Sequence, residues 1–205
     1  MNYLKQEIQM INKLKYILLL LALSSQVALA KNYEVWLGTP DKSTSLNAEQ
    51  TKQTIKVLRE ADVSDTVTIN INSVGGDTLY GVPIIEAIRT SNAEVVTRCI
   101  DECLSYGAFI LMAGDDIRIK HGAILMFHTL QFPCATGYCP VSREYAKKYP
   151  QVQKDFEDIY GLYKQLDLDK ILLPSEWEDV WKGKNVFITQ LQMRDRMNRY
   201  FNSRR

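Results

Sequence analysis

The chain has 205 residues, 46% of them hydrophobic, with 25 Lys and Arg against 24 Asp and Glu and a net charge of +1. That hydrophobic share excludes a disordered tail and supports one domain with its own core. The balanced charge excludes nucleic acid, or a strongly acidic surface, as the expected partner. In chain order, Lys13 and Lys15 precede an apolar run at residues 17–23, and Ala28-Leu29-Ala30 follows. A basic start, a short apolar stretch and an A-x-A end describe a secretory signal peptide cut after Ala30. The run is shorter than the ~20 residues that a spanning helix needs, so an uncleaved anchor is the lesser reading. Residues 1–30 are therefore read as a leader and residues 31–205 as a single periplasmic or secreted domain. Its membrane contact is expected only in transit, through the leader.

Residues 33–37 read as a strand. A helical pattern runs from about 47 to 60, with Ile55 and Leu58 on one face and Ser45 or Asn47 as cap. Val67, Ile69 and Ile71 alternate with polar residues, a period-two strand that ends in Ser73-Val74-Gly75-Gly76-Asp77. Leu79, Val82, Ile85 and Ile88 then recur at helical spacing, and residues 94–100 form a β-branched strand. Residues 105–113 read as a buried helix stopped by Gly114, followed by short strands at 117–119 and 123–127. Such β-α-β alternation predicts an α/β fold with a largely parallel sheet and right-handed crossovers. After His128 the chain turns polar and aromatic. A charged, Tyr-rich helix is expected over 142–167, kinked at Pro150. Two capping boxes, Ser175 with Glu178 and Thr189 with Gln192, open C-terminal helices. The terminal arginines Arg194, Arg196, Arg199, Arg204 and Arg205 are read as a solvated face and tail.

In an oxidising compartment four cysteines point to disulfides. Cys134 and Cys139 bracket a short turn-like loop, which leaves Cys99 with Cys103; four cysteines allow three pairings, and sequence does not choose among them. Zinc is disfavoured, since no C-x-x-C occurs and the chain has two histidines. No metal and no cofactor are expected.

Three features carry chemistry. Gly75-Gly76 follows a strand, and paired glycines let backbone N–H groups turn toward a ligand; an ordinary tight turn is the plainer reading. Ser105 stands where a strand gives way to a helix, the place of an N-cap but also of an activated nucleophile. His128 closes a strand, where sites gather in parallel sheets; His121 is the other histidine available. A G-x-S-x-G elbow is absent.

Taken together, Asn72-Ser73-Val74-Gly75-Gly76, Ser105-Tyr106-Gly107-Ala108, Ala113-Gly114 and Met126-Phe127-His128 resemble the proteolytic subunit of Clp protease in order and spacing. The resemblance covers about sixty residues strongly and implies a Clp protease/crotonase-like fold. It further implies Ser105 as nucleophile, His128 as general base, and the amides of Gly76 and Tyr106 as oxyanion hole. The third member of the family's triad, an Asp before an aromatic segment, falls on Asn185, in Asn185-Val186-Phe187-Ile188-Thr189. Asparagine can orient a histidine but supplies no negative charge. Asp179 is a fallback, and Lys120 the nearest base for a Ser/Lys variant. The function expected is an ATP-independent, exported serine peptidase that acts on peptides or unfolded proteins. No ATPase partner is expected, and a homo-oligomer is implied because relatives bury their helical handles between subunits. A catalytically inactive binding or scaffold protein is the alternative, with a thioester enzyme of the crotonase type third.

Overall fold

The computed structural model describes residues 29–135 and 137–202, together with Lys13 and Lys15. The chain divides into two units, Met1–Ala30 and Lys31–Arg205. The leader expected at residues 1–30 lies outside the described residues apart from Lys13, Lys15, Leu29 and Ala30. Among the described residues no helix is long and apolar enough to cross a membrane.

The second unit is built on two long strands, β3 (Thr66–Gly75) and β4 (Glu94–Leu104), which pair in parallel. Each exchanges partners partway along. β3 lies beside β1 (Asn32–Leu37) over Thr66–Ile71 and then beside β2 (Thr44–Ser45). β4 lies beside β5 (Asp116–Ile119) at Val96–Cys99 and then beside β6 (Ile124–Phe127) at Glu102–Leu104. An antiparallel strand, β9 (Val186–Thr189), covers the outer edge of β6. The sheet is thus mostly parallel, as expected. Three additions lie outside the expectation: β2, in a stretch read as loop and helix cap; β9, whose four residues are too few to show a period; and the run of β3 and β4 past the predicted ends.

Both exchanges fall at one level, and there the register slips. Ile71 faces Cys99, but two residues later Ser73 faces Cys103, four residues on. The excess of β4 bulges out, and bulges bend strands. Cys99 and Cys103 are disulfide-bonded with their Cα atoms 6.0 Å apart, where four extended residues would span about 13 Å. From the β3 side the buried Asn72 pins the bulge. Its Nδ2 donates to the Thr39 carbonyl at 2.9 Å and its Oδ1 accepts the Glu102 N–H at 3.3 Å.

Helices α1 (Ala48–Glu60), α2 (Thr78–Thr90) and α3 (Tyr106–Met112) pack against the sheet. Asn47 caps α1 by accepting the Gln50 N–H at 3.0 Å, and Asp77 caps α2 through the Leu79 N–H at 2.9 Å. After β6 comes a hairpin of β7 (Gln131–Cys134) and β8 (Gly137–Pro140), tied by a Cys134–Cys139 disulfide. The expected 142–167 helix is two helices, α4 (Arg143–Lys148) and α5 (Pro150–Gln165), broken at Tyr149 because the residue before a proline is pushed out of helical conformation. A short α6 (Leu168–Ile171) follows, then α7 (Pro174–Trp181) and α8 (Gln190–Asn202). The Thr189–Gln192 capping box is formed reciprocally, Thr189 N–H to Gln192 Oε1 at 2.9 Å and Gln192 N–H to Thr189 Oγ1 at 3.4 Å. The other box is displaced. α7 opens one residue before Ser175, and Glu176 rather than Glu178 reaches back, accepting the Leu173 N–H at 2.9 Å.

The late helices fold onto the sheet through aromatic rings. Tyr163 is fully buried, edge-on to Phe109 and to Trp181 with centroids 4.9 Å from each. One terminal arginine departs from the solvated reading: Arg196 is buried and grips Glu176 through two bonds of 2.6 and 2.9 Å. Arg204 and Arg205 lie outside the described residues.

Candidate active site

Ser105 occupies the single residue between β4 and α3, at φ 55° and ψ −124°. A positive φ in a residue with a side chain costs of order 1–3 kcal/mol and persists only where the surroundings enforce it. They do so here by backbone bonds on both sides. The Ser105 N–H donates to the Met126 carbonyl at 2.9 Å, and its own carbonyl accepts the Ala108 N–H at 2.9 Å. The side chain makes no capping bond to the helix, so the plain N-cap reading of this serine does not describe it.

Gly75 is why the neighbouring loop fits. Its φ is +94°, and a Cβ placed on it would stand 2.6 Å from the Ser105 Cβ and 2.8 Å from the Leu104 carbonyl oxygen. The loop therefore runs in contact with the serine, at a distance no side chain permits. The Ser73 hydroxyl fixes it, donating to the Thr44 carbonyl at 2.7 Å and accepting the Gly75 N–H at 3.1 Å. The N–H groups of Gly76, which follows Gly75, and of Tyr106, which follows Ser105, have no acceptor among the described residues. The Tyr106 ring lies buried against α2, its hydroxyl 3.2 Å from Thr78 Oγ1, and burial raises its pKa.

His128 steps off β6 as Ser105 steps off β4, and the two strands are adjacent, with Leu104 opposite Met126. Both side chains line one cleft of about 570 Å³, with Gly75, Gly76, Tyr106 and Tyr138 also on its wall. No direct hydrogen bond joins them. The His128 Nδ1 hydrogen-bonds the Thr129 carbonyl. That acceptor requires the proton on Nδ1 and leaves Nε2 as the basic nitrogen. Burial pushes the His128 pKa below its ordinary 6.5, with the Thr129 bond acting in the opposite direction. The imidazole is consequently neutral near pH 7. The His128 carbonyl accepts from the Tyr163 hydroxyl at 3.0 Å, so α5 anchors the backbone of this residue from behind. Burial raises the Tyr163 pKa well above the usual phenol value, which keeps the hydroxyl protonated and donating.

Of the residues singled out in the sequence, Ser105, His128, Gly76 and Tyr106 come together. Asn185 sits just before β9, is exposed and makes no side-chain hydrogen bond among the described residues. Asp179 is committed to Lys184, 2.8 Å away. Lys120 is exposed, with its N–H on the Cys99 carbonyl at 2.9 Å, at the bulge rather than at the Ser105 end of β4. His121 is exposed in the turn before β6. Thr129 and Tyr163 were not legible as site residues. One acts through its backbone and the other reaches the site from 35 residues away. Among the described residues no three His, Cys, Asp or Glu side chains are grouped so as to hold a metal ion.

A family model described as Clp protease matches residues 22–172. The chain is 26% identical over 151 residues to an ATP-dependent Clp protease proteolytic subunit of Deinococcus radiodurans, covering 72% of each chain. It is 27% identical over 133 residues to ATP-dependent Clp protease proteolytic subunit 3 of Parasynechococcus marenigrum, covering 60% of this chain and 66% of the relative. With the corresponding subunit of Bacteroides thetaiotaomicron it shares 23% over 150 residues, 72% of this chain and 66% of the relative.

Proposed function

Because the chain belongs to the Clp protease family, we propose that it is a serine peptidase that uses Ser105 and His128 and acts, after export, without an ATP-driven partner. The observation that carries this reading is the strained Ser105 beside His128 in a single cleft, at the ends of two adjacent parallel strands.

In this reading Ser105 Oγ attacks the carbonyl carbon of a peptide bond and passes its proton to His128 Nε2. The tetrahedral oxyanion accepts from the N–H groups of Gly76 and Tyr106, which have no other acceptor to give up. His128 returns the proton to the amine as the C–N bond breaks. Water then attacks the acyl carbon and gives a proton to His128, which passes it to Ser105 Oγ as the C–Oγ bond breaks and the acid leaves. The Thr129 carbonyl holds the required tautomer throughout, but it is neutral. A buried carboxylate would stabilise the imidazolium by charge, and since none bonds His128 among the described residues, a slow enzyme is expected. Asn185 has no part in this scheme. The substrates proposed are peptides or unfolded chains able to extend along the cleft, and a homo-oligomer is expected from the family. Export is supported by the leader pattern in residues 13–30 and by two cysteine pairs at bonding distance. A non-catalytic scaffold is the second reading, favoured by the lack of a carboxylate bonded to His128 among the described residues.

The test is fluorophosphonate labelling of residues 31–205. Labelling at Ser105 that is abolished in Ser105→Ala and in His128→Ala supports the peptidase. A folded protein that takes up no label leaves the scaffold.

A further inference from the structure

We propose that the Cys99–Cys103 disulfide positions the Ser105 nucleophile, so that the site assembles only in a chain oxidised at this pair. The inference rests on the role given to Ser105 above and adds to it a dependence on thiol oxidation.

Pairing of β4 with β3 stops at Cys99 and resumes at Cys103; pairing with β5 stops at Cys99, and pairing with β6 begins at Glu102. Ile100 and Asp101 thus have no registered partner on either side. Across the neck of the bulge run one side-chain hydrogen bond, Asn72 to the Glu102 N–H at 3.3 Å, and the disulfide; outside it the Lys120 N–H holds the Cys99 carbonyl at 2.9 Å, and β6 pairs with Glu102–Leu104. Cys103 pairs with Ser73, the residue whose hydroxyl sets the Gly75 N–H, and Ser105 follows two residues later. The covalent bond therefore lies at the level where both halves of the site leave the sheet.

Both cysteines are completely buried. Reduction by a dithiol, which ends as a disulfide, supplies two electrons that break the S–S bond; each sulfur takes a proton, and two thiols need more room than a bonded pair in an interior with little to spare. The neck opens, and residues 102–105 move with it. A displacement of 1 Å at a reacting group costs about a hundredfold in rate. The reverse step is an exchange with a disulfide oxidant: the two thiols give up two protons and two electrons, and the oxidant leaves as a dithiol. Reducing compartments keep such thiols reduced, so the precursor is held inactive until it meets an oxidant. The Cys134–Cys139 bond differs. It closes a hairpin whose strands are already paired at Phe132–Cys139 and Cys134–Gly137.

The experiment uses residues 31–205 carrying Cys134→Ser and Cys139→Ser, so that the inner pair is the sole disulfide. The protein is refolded with and without oxidised glutathione, beside a version with Cys99→Ala and Cys103→Ala. Melting temperature, fluorophosphonate labelling and amide hydrogen exchange are read on each. The expected result is a folded reduced protein that labels about a hundredfold more slowly, with the loss in the bond-forming rate and not in the affinity for the probe. Exchange at the Ser105 amide rises while that at Val67 and Ile69 holds, and reoxidation restores labelling. Equal labelling in the two redox states overturns the proposal. So does a reduced chain that does not fold, since the bond then serves the whole fold. If the oxidised protein takes no label, the peptidase reading fails, and exchange at Ser105 alone decides the positioning claim: unchanged exchange refutes it.

Discussion

Replacing Gly75 by alanine puts a methyl group where the Ser105 side chain already is. The built Cβ lies 2.6 Å from the Ser105 Cβ, 2.8 Å from the Leu104 oxygen and 3.1 Å from Ser105 Oγ. None of these is the loose end of a long side chain, so relief has to come from the backbone of the loop or of the serine. The positive φ costs about 1–2 kcal/mol, and crowding in a packed site about 1–3 kcal/mol more. A total of about 3 kcal/mol lowers the melting temperature of a domain this size by roughly 6–12 °C. Ser105 is itself displaced, and labelling falls about a hundredfold. Gly122 supplies the control: its φ is +87°, but an added Cβ has nothing within 4 Å. Gly122→Ala pays for φ alone, about 1–2 kcal/mol, and leaves the labelling rate intact. Thermal melts and fluorophosphonate kinetics on both variants separate strain from collision. If Gly75→Ala labels like wild type, or if both variants lose the same stability, the loop does not buttress the serine.

Further expectations follow from the same geometry. Since burial disfavours the His128 cation and the base has to be neutral, the pH of half-maximal rate should lie below 6.5; a half-maximal rate above pH 6.5 contradicts the buried imidazole. Tyr163→Phe removes the donor to the His128 carbonyl and should cost about 1 kcal/mol in chemical denaturation with a several-fold slower labelling; an unchanged denaturation midpoint contradicts it. Asn185→Ala should label within about twofold of wild type, as an exposed side chain without a partner contributes little. A tenfold loss would return Asn185 to the mechanism. Glu176→Ala leaves Arg196 buried and unpaired, which costs about 3 kcal/mol; calorimetry showing no loss would mean that the pair is not desolvated.

The sequence made the serine, the histidine and the glycine turn legible because each sits at the end of a strongly patterned segment. Val67, Ile69 and Ile71 alternate plainly, and the β-branched run at 94–100 announces a buried strand. The bulge is not legible: the strand reads as 94–100, and only the pairing with β3 reveals that it runs on with two excess residues. Asn185 was placed by alignment of a motif, which carries no side-chain direction. The hydrogen bond of His128 to the next residue's carbonyl has no sequence signature, since every residue has a carbonyl. Glu176 displaced Glu178 as a cap because Pro174, already fixed in φ, starts the helix earlier than Ser175 would.

The covering of β6 by β9 sets an order on folding. Some sixty residues separate the two strands, and until about the last tenth of the chain is available the strand that leads into His128 has an open edge. An unpaired edge is a template for other chains, and contacts between such distant segments form late because the loop must close first. For a polypeptide threaded through a membrane pore this delay is an advantage, because what remains unfolded remains threadable. In the exported protein proposed above, β6 would then gain its edge partner only on the far side, where the final strand arrives.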